Sequence, residues 1–172
     1  MTSRILVVGI GNIFLGDDGF GCEVVQRIMR RGLPDNVRVE DFGIRGFDLA
    51  YALMDDYDAV ILVDAVPRGQ PPGTLYTIEP DLSALDETGP AEMMVETHGM
   101  NPMKVLAMVQ SMGCEPKRML LVGCEPEPSM AGEEEERMGL SEPVEAVVDE
   151  AVQMVESLIA RITGDQKAIV AG

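Results

Sequence analysis

The sequence predicts an α/β fold in which a largely parallel sheet carries helices on both faces. Short apolar runs typical of buried strands alternate along the chain with segments whose apolar residues recur at helical spacing. One linker between two strands, residues 66–73, is too short for the crossover helix that a parallel return needs. The strand after this linker is therefore expected to run antiparallel to its neighbours, which makes the predicted sheet mixed.

Five segments have strand patterns. Residues 4–9, 59–65 and 118–123 are compact apolar runs of the kind that fill a buried sheet. Residues 36–42 alternate polar and apolar side chains, as expected of a half-buried strand. Residues 74–80 are a weaker strand candidate, and they follow the short linker.

Helix patterns separate these strands. Apolar residues at three- and four-residue intervals predict a helix from Phe20 to about Arg31, and a short helix is expected near Gly46. A third helix spans residues 101–113, with Asn101 as its N-cap. Its apolar face consists of Val105, Val109 and Met112. The last helix opens at Ser141, and its inner face consists of Val144, Val147, Val148, Ala151, Val155, Leu158, Ile159 and Ile162.

The length and the charge limit the possible functions. A chain of 172 residues fits one domain, predicted over residues 1–164, with a flexible C-terminal tail at 165–172. Thirty acids against thirteen bases give a formal net charge of −17. A field of that sign repels phosphate backbones and anionic lipids, so neither nucleic acid nor a membrane is an expected partner.

The cysteines and the apolar runs indicate a cytoplasmic protein. The three cysteines are odd in number and far apart, which favours reduced thiols over a disulfide framework or a zinc knuckle. The apolar runs are too short to span a bilayer, and the first residues lack a secretory signal pattern.

The stretch "VVGIGNIFLGDDGFG", residues 7–21, first suggests a nucleotide-binding loop. A dinucleotide fingerprint needs a third glycine where this chain has Phe14, and the lysine of a phosphate-binding loop is missing too. The stretch instead places two acids after a strand, at the edge where open α/β sheets bind their ligands.

Other chemically active residues are expected at the same edge. Asp17 and Asp18 follow the first strand, Asp41 lies near the end of the second, and Asp64 near the end of the third. The only histidine, His98, precedes a helix whose N-terminus should open there. Acids gathered in this way need a proton or a cation between them, and two carboxylates with one imidazole suit a divalent transition metal. Taken one at a time, each residue also fits an ordinary role as a cap, a loop acid or a backbone-bonded histidine.

Rival active sites have less support. The chain has no serine in a G-x-S-x-G elbow. A dyad of Cys22 and His98 is conceivable, although Cys22 falls in the first helix, where a small core residue is expected.

The acidic run at 125–137 is expected to be a solvated mobile loop, with attraction of a basic partner surface as the alternative.

Several blocks, in this order, resemble the hydrogenase maturation endopeptidases. They are "GIGNIFLGDDGFG", "DAV", "PPGTLYTIEP", "THGMNP" and "LLVGCEPE", and the similarity extends over about residues 4–162. The family removes a short C-terminal extension from the precursor of the [NiFe]-hydrogenase large subunit. The resemblance implies a three-layer α/β/α fold with a five-stranded mixed sheet whose fourth strand is antiparallel.

The resemblance also implies the site residues. The metal contacts of the family fall on Asp18, Asp64 and His98, and the catalytic carboxylates would be Asp18, Asp64 and Asp41, the last as a candidate for proton transfer. Nickel seated in the bound precursor would be the metal. A second family block is altered here to "DFGIRG", residues 41–46, which changes the loop next to the site. The same ligands would also serve a checkpoint module that inspects the precursor through its nickel without cutting it.

Overall fold

The structure is a computed structural model. It describes residues 3–80, 102–114, 117–128 and 138–171, with the backbone alone for residues 102, 103 and 165–171. The strands are β1 (Ile5–Ile10), β2 (Val37–Gly43), β3 (Ala59–Ala65), β4 (Leu75–Ile78) and β5 (Met119–Cys124). The helices are α1 (Phe20–Arg31), α2 (Gly46–Leu53), α3 (Pro102–Ser111), α4 (Glu142–Glu145) and α5 (Val148–Ala171).

Within the described residues, the five strands form one sheet in the order β2-β1-β3-β5-β4. The three pairs among β2, β1, β3 and β5 are parallel, whereas β4 pairs with β5 in the antiparallel sense. The prediction from the short linker is thereby confirmed. Because the four parallel strands end at one edge of the sheet, the loops that follow them share that edge.

Helices cover both faces of the sheet. Side chains alternate across a strand, so Ile5 and Val7 of β1 enter one apolar cluster and Leu6 and Val8 enter the other. The first cluster is completed by α1 and α5, and the second by α2 and α3. This arrangement confirms the predicted three-layer α/β/α fold.

The structure corrects the sequence prediction at two helix ends. Ser141 caps the single-turn helix α4, and the long last helix begins only at Val148, although the predicted inner-face residues are largely buried. Met112 lies beyond the end of α3 and is 54% exposed, whereas Val105 and Val109 are buried as predicted. The backbone of residues 165–171 continues α5, and the flexibility expected of this segment stays a prediction.

Candidate active site

The register of the sheet places Asp41 and Asp64 at the same edge. Asp41 of β2 is level with Gly9 of β1, and Val63 of β3 is level with the same glycine, so Asp64 lies one residue further along. Since β1 runs between β2 and β3, the two acids stand two strand spacings apart, about 10 Å at the backbone.

Asp18 reaches this edge on a short turn between β1 and α1. The turn is the 3-10 helix Gly16–Gly19, and the backbone N–H of Asn12 donates to Oδ2 of Asp18 over 2.8 Å. Gly11 has a φ of +135°, and a Cβ at this position would overlap the carbonyl oxygen of Asp18. The glycine therefore lets the end of β1 and the acid-bearing turn approach one another.

A second glycine holds α1 against the strand ends. A Cβ on Gly21 would lie 2.5 Å from the carbonyl oxygen of Ile10 and closer still to that of Val63. The first turn of α1 therefore rests on the backbone of β1 and β3. This contact joins the segment that carries Asp18 to the residue just before Asp64. Gly11 and Gly21 therefore allow the acid-bearing turn and α1 to pack closely against the strand ends.

The two acids influence each other electrostatically. Asp64 is half-buried, and its pKa is raised first by burial and then by the negative charge of Asp18, against the effect of a hydrogen bond from the N–H of Ala65. Burial also raises the pKa of Asp18, opposed by the bond from Asn12. Two half-buried carboxylates that repel one another attract a cation or retain a proton.

Asp41 is held in a fixed orientation on the other side of β1. Its Oδ1 accepts a hydrogen bond from the N–H of Gly43 over 2.9 Å, and its Oδ2 accepts one from Nε2 of Gln26 over 3.3 Å. The guanidinium of Arg45 donates to the backbone carbonyl of Asp41 over 2.7 Å. Gly43 and Arg45, which belong to the altered block at 41–46, therefore both form hydrogen bonds with Asp41.

Cys22 lies among these acids but does not have the properties of a nucleophile. Its side chain is buried, and Sγ donates to the carbonyl oxygen of Gly11 over 3.3 Å. Its pKa is raised by burial first, then by Asp41 beside it and by the charges of Asp18 and Asp64. The thiol therefore stays protonated at neutral pH, which argues against a cysteine–histidine dyad.

A complete metal site cannot be assembled from the described residues alone. The charge of Asp18 acts on Asp64, and among the residues that the structure describes no group of three His, Cys, Asp or Glu side chains could hold a metal ion. His98, the third expected ligand, lies outside the described residues. The two carboxylates suit a divalent cation, and they leave most of its coordination positions to other ligands.

Two acids near the edge have contacts that the sequence patterns did not reveal. Asp17, interpreted as a plain loop acid, accepts hydrogen bonds from Glu127 and Ser141. Glu125, assigned to a solvated mobile run, is only 3% exposed and accepts bonds from the backbone of Arg68 and Gln70. The expectation of a solvated loop is therefore wrong for Glu125. The only sequence signal at this position was the family block "LLVGCEPE".

Exposed apolar side chains lie in the two segments that follow β1 and β2. Ile13, Phe14 and Leu15 in the loop before Asp18 are between 36% and 54% exposed. Ile44 and Phe47, which follow the end of β2, are 52% and 55% exposed. These two segments are adjacent because the N–H of Gly11 donates to the carbonyl of Gly43 over 2.9 Å. Apolar side chains exposed in adjacent segments are typical of a surface that binds a peptide or a protein.

Comparison with known proteins identifies the family. The sequence profile of the hydrogenase maturation proteases matches residues 22–158, which is most of the chain. The chain belongs to the hydrogenase maturation protease family. Membership makes it a peptidase.

Individual members of the family align over different shares of their length. The hydrogenase 2 maturation protease of Escherichia coli is 34% identical over 156 residues, which is 88% of each chain. The hydrogenase expression/formation protein HupD of Rhodobacter capsulatus is 39% identical over 127 residues, 72% of this chain and 57% of HupD. The chain therefore matches little more than half of the HupD protein.

A solved structure shows the same fold. The hydrogenase maturating endopeptidase HybD from E. coli superimposes with a TM-score of 0.71 at 30% identity, covering 92% of this chain and 93% of that one. In the present chain, no helix among the described residues is both long and apolar enough to cross a membrane.

Proposed function

We propose that this protein cuts the precursor of a [NiFe]-hydrogenase large subunit and removes its C-terminal extension after nickel has been inserted. The observation that carries the proposal is the pair of half-buried acids, Asp18 and Asp64, at the carboxyl edge of the sheet. Family membership supports peptide hydrolysis, and the hydrogenase 2 maturation protease of E. coli is one of the relatives.

Nickel enters this proposal as part of the substrate. Because the charge of Asp18 raises the pKa of Asp64, ionising both acids is costly until a cation arrives between them. A nickel ion accepts four to six ligands, so two carboxylates and the imidazole of His98 leave positions for the cysteines of the precursor. The metal would then fix the scissile peptide relative to this protein.

Hydrolysis needs a water molecule and a group that takes its proton. The carboxylate of Asp41 is suited to the proton transfer, because two hydrogen bonds orient it and it lies within the same edge as Asp64. Asp18 and Asp64 would hold the nickel-bearing end of the peptide, and the exposed apolar side chains of residues 13–15 would contact the chain on either side of the cut.

The test uses precursor prepared with and without nickel. We expect the purified protein to release the C-terminal peptide from the nickel-loaded precursor only, which mass spectrometry detects as a loss of the peptide mass. Asp18→Ala and His98→Ala should lower the rate by orders of magnitude, whereas Asp55→Ala, the same change as Asp18→Ala at an exposed acid after α2, is the matched control.

Three outcomes separate the alternatives. Equal rates on the two precursors would refute gating by nickel. The protein would then be a protease that recognises only the peptide sequence of its substrate. A stable complex without any loss of mass would support the checkpoint module instead. Full activity of Asp18→Ala would show that the paired acids are not the site.

A further inference from the structure

We propose that the segment after β5, residues 125–127, is a positioning clamp that fixes Asp18 and Asp64 relative to each other. The clamp has two arms, which are the carboxylate of Glu125 and the backbone N–H of Glu127. Its effect on catalysis rests on the function proposed above, whereas its effect on the two loops is a property of the free protein.

The first arm holds the loop that follows Asp64. The carboxylate of Glu125 accepts hydrogen bonds from the N–H of Arg68 over 2.7 Å and 3.0 Å, and from the N–H of Gln70 over 2.6 Å. The side chain is 3% exposed, so these bonds have little competition from water. The backbone of Glu125 also forms hydrogen bonds with Gly73 and Thr74, which fix the position of its main chain.

The second arm holds the turn that carries Asp18. Oδ2 of the neighbouring Asp17 accepts hydrogen bonds from the N–H of Glu127 and from Oγ of Ser141, both over 2.8 Å. Oδ1 of Asp17 accepts a third bond from the N–H of Ser141 over 2.7 Å. The carbonyl of Asp17 in turn accepts the N–H of Phe20, the first residue of α1.

The clamp joins Asp18 to the strand that already pairs with Asp64. Asp64 is level with Gly123 of β5, and the N–H of Val66 still donates to the carbonyl of Cys124, whereas Asp18 lies in a turn outside the ladder. Hydrogen bonds of an ionised carboxylate to N–H groups are stronger than neutral ones and depend on direction. Because the two arms arise two residues apart, a shift of one loop relative to the other would break bonds in at least one of them.

Substitutions that keep the size of the side chain test the two arms. In Asp17→Asn and Glu125→Gln, an NH₂ group replaces one acceptor oxygen and faces an N–H donor. We expect each variant to lower kcat on the nickel-loaded precursor at least about tenfold, with KM changed by less than about twofold. The double variant should lose less than the product of the single losses, because both arms serve one geometry.

Two controls separate positioning from general damage. Asp55→Asn and Glu79→Gln make the same chemical changes at exposed acids and should leave kcat unchanged. Activity is measured well below each unfolding midpoint. The truncations Asp17→Ala and Glu125→Ala should give losses at least as large as those of the matched amide variants.

Hydrogen–deuterium exchange of the free protein tests the clamp without any substrate. Glu125→Gln should accelerate exchange at residues 66–70, and Asp17→Asn should accelerate it at residues 16–20, at Glu127 and at Ser141. Unchanged exchange would overturn the clamp even if the wild-type protein did not cut the precursor. Accelerated exchange with normal kcat, or a rise in KM alone, would overturn its role in positioning the acids.

Discussion

Gly21→Ala tests how closely activity depends on the packing of the first turn of α1 against β1 and β3. The new Cβ would lie 2.5 Å from the carbonyl oxygen of Ile10, and a real Cβ is essentially never closer than 3.0 Å to such an atom. The first turn of α1 must therefore move by at least about 0.5 Å, and by more at Val63, where the overlap is larger. The atoms in the way belong to the backbone of the two central strands, so no side chain can rotate to make room.

The displacement should be passed directly to Asp18, which lies three residues before Gly21. A misplacement of about 1 Å can cost on the order of a hundredfold in rate, so we expect kcat to fall between tenfold and a hundredfold. Overpacking at such a contact should also lower the free energy of unfolding by about 1–3 kcal/mol. Peptide release followed by mass spectrometry gives the rate, and urea unfolding gives the stability.

Gly164→Ala is the matched control, because a Cβ there meets no atom within 4 Å. Gly164 lies within α5, where alanine favours the helix by roughly 0.5–1 kcal/mol, so this variant should gain stability and keep its activity. The reasoning is refuted if Gly21→Ala cuts the precursor at the wild-type rate, or if its loss of activity disappears once the assay temperature is lowered well below the unfolding midpoint.

Three further changes probe the acids, the thiol and the apolar surface. Burial and the charge of Asp18 raise the pKa of Asp64, so wild-type stability should fall as the pH rises from about 3.9 through the raised value. Asp64→Asn should abolish cleavage yet raise the free energy of unfolding at pH 7, because the amide carries no charge to bury. The gain should vanish near pH 4, and a lower free energy of unfolding at pH 7 would contradict this. Cys22→Ala should keep full cleavage with a stability loss of roughly 1 kcal/mol, whereas an inactive but folded variant would revive the cysteine mechanism. Phe14→Ser and Phe47→Ser remove exposed rings and should raise KM up to about tenfold at unchanged kcat, and an unchanged KM would exclude this surface from binding.

Much of the fold could be predicted because the signals are local. The buried strands are continuous apolar runs, and the linker at 66–73 leaves room only for an antiparallel return. Asp41 and Asp64 could be assigned to one edge because parallel strands end together. The break between α4 and α5 escaped prediction because the apolar spacing continues through Val147, and only the backbone reveals the interruption.

The rest of the site depends on contacts between distant parts of the chain. The bonds of Asp17 join residues more than a hundred positions apart, and those of Glu125 join residues more than fifty apart. No periodicity reports which N–H groups converge on a carboxylate, so an acid that fixes a loop has the same pattern as a solvated one. The place of His98 in the ligand set stays a prediction, because it rests on its position before a helix and on the family resemblance, and His98 lies outside the described residues.

The anchoring of Glu127 and Ser141 on one carboxylate has a consequence for the evolution of this protein. The chain between them leaves and returns at the same point, so its ends stay fixed whatever its length. Doubling the length of such a loop costs only about 0.6 kcal/mol of closure entropy. Sequence inserted or exchanged between Glu127 and Ser141 should therefore leave both of these residues, and Asp17 between them, in place beside the proposed site. A lineage that acquires a new hydrogenase could change its recognition there first, and a laboratory could graft a binding peptide at the same position.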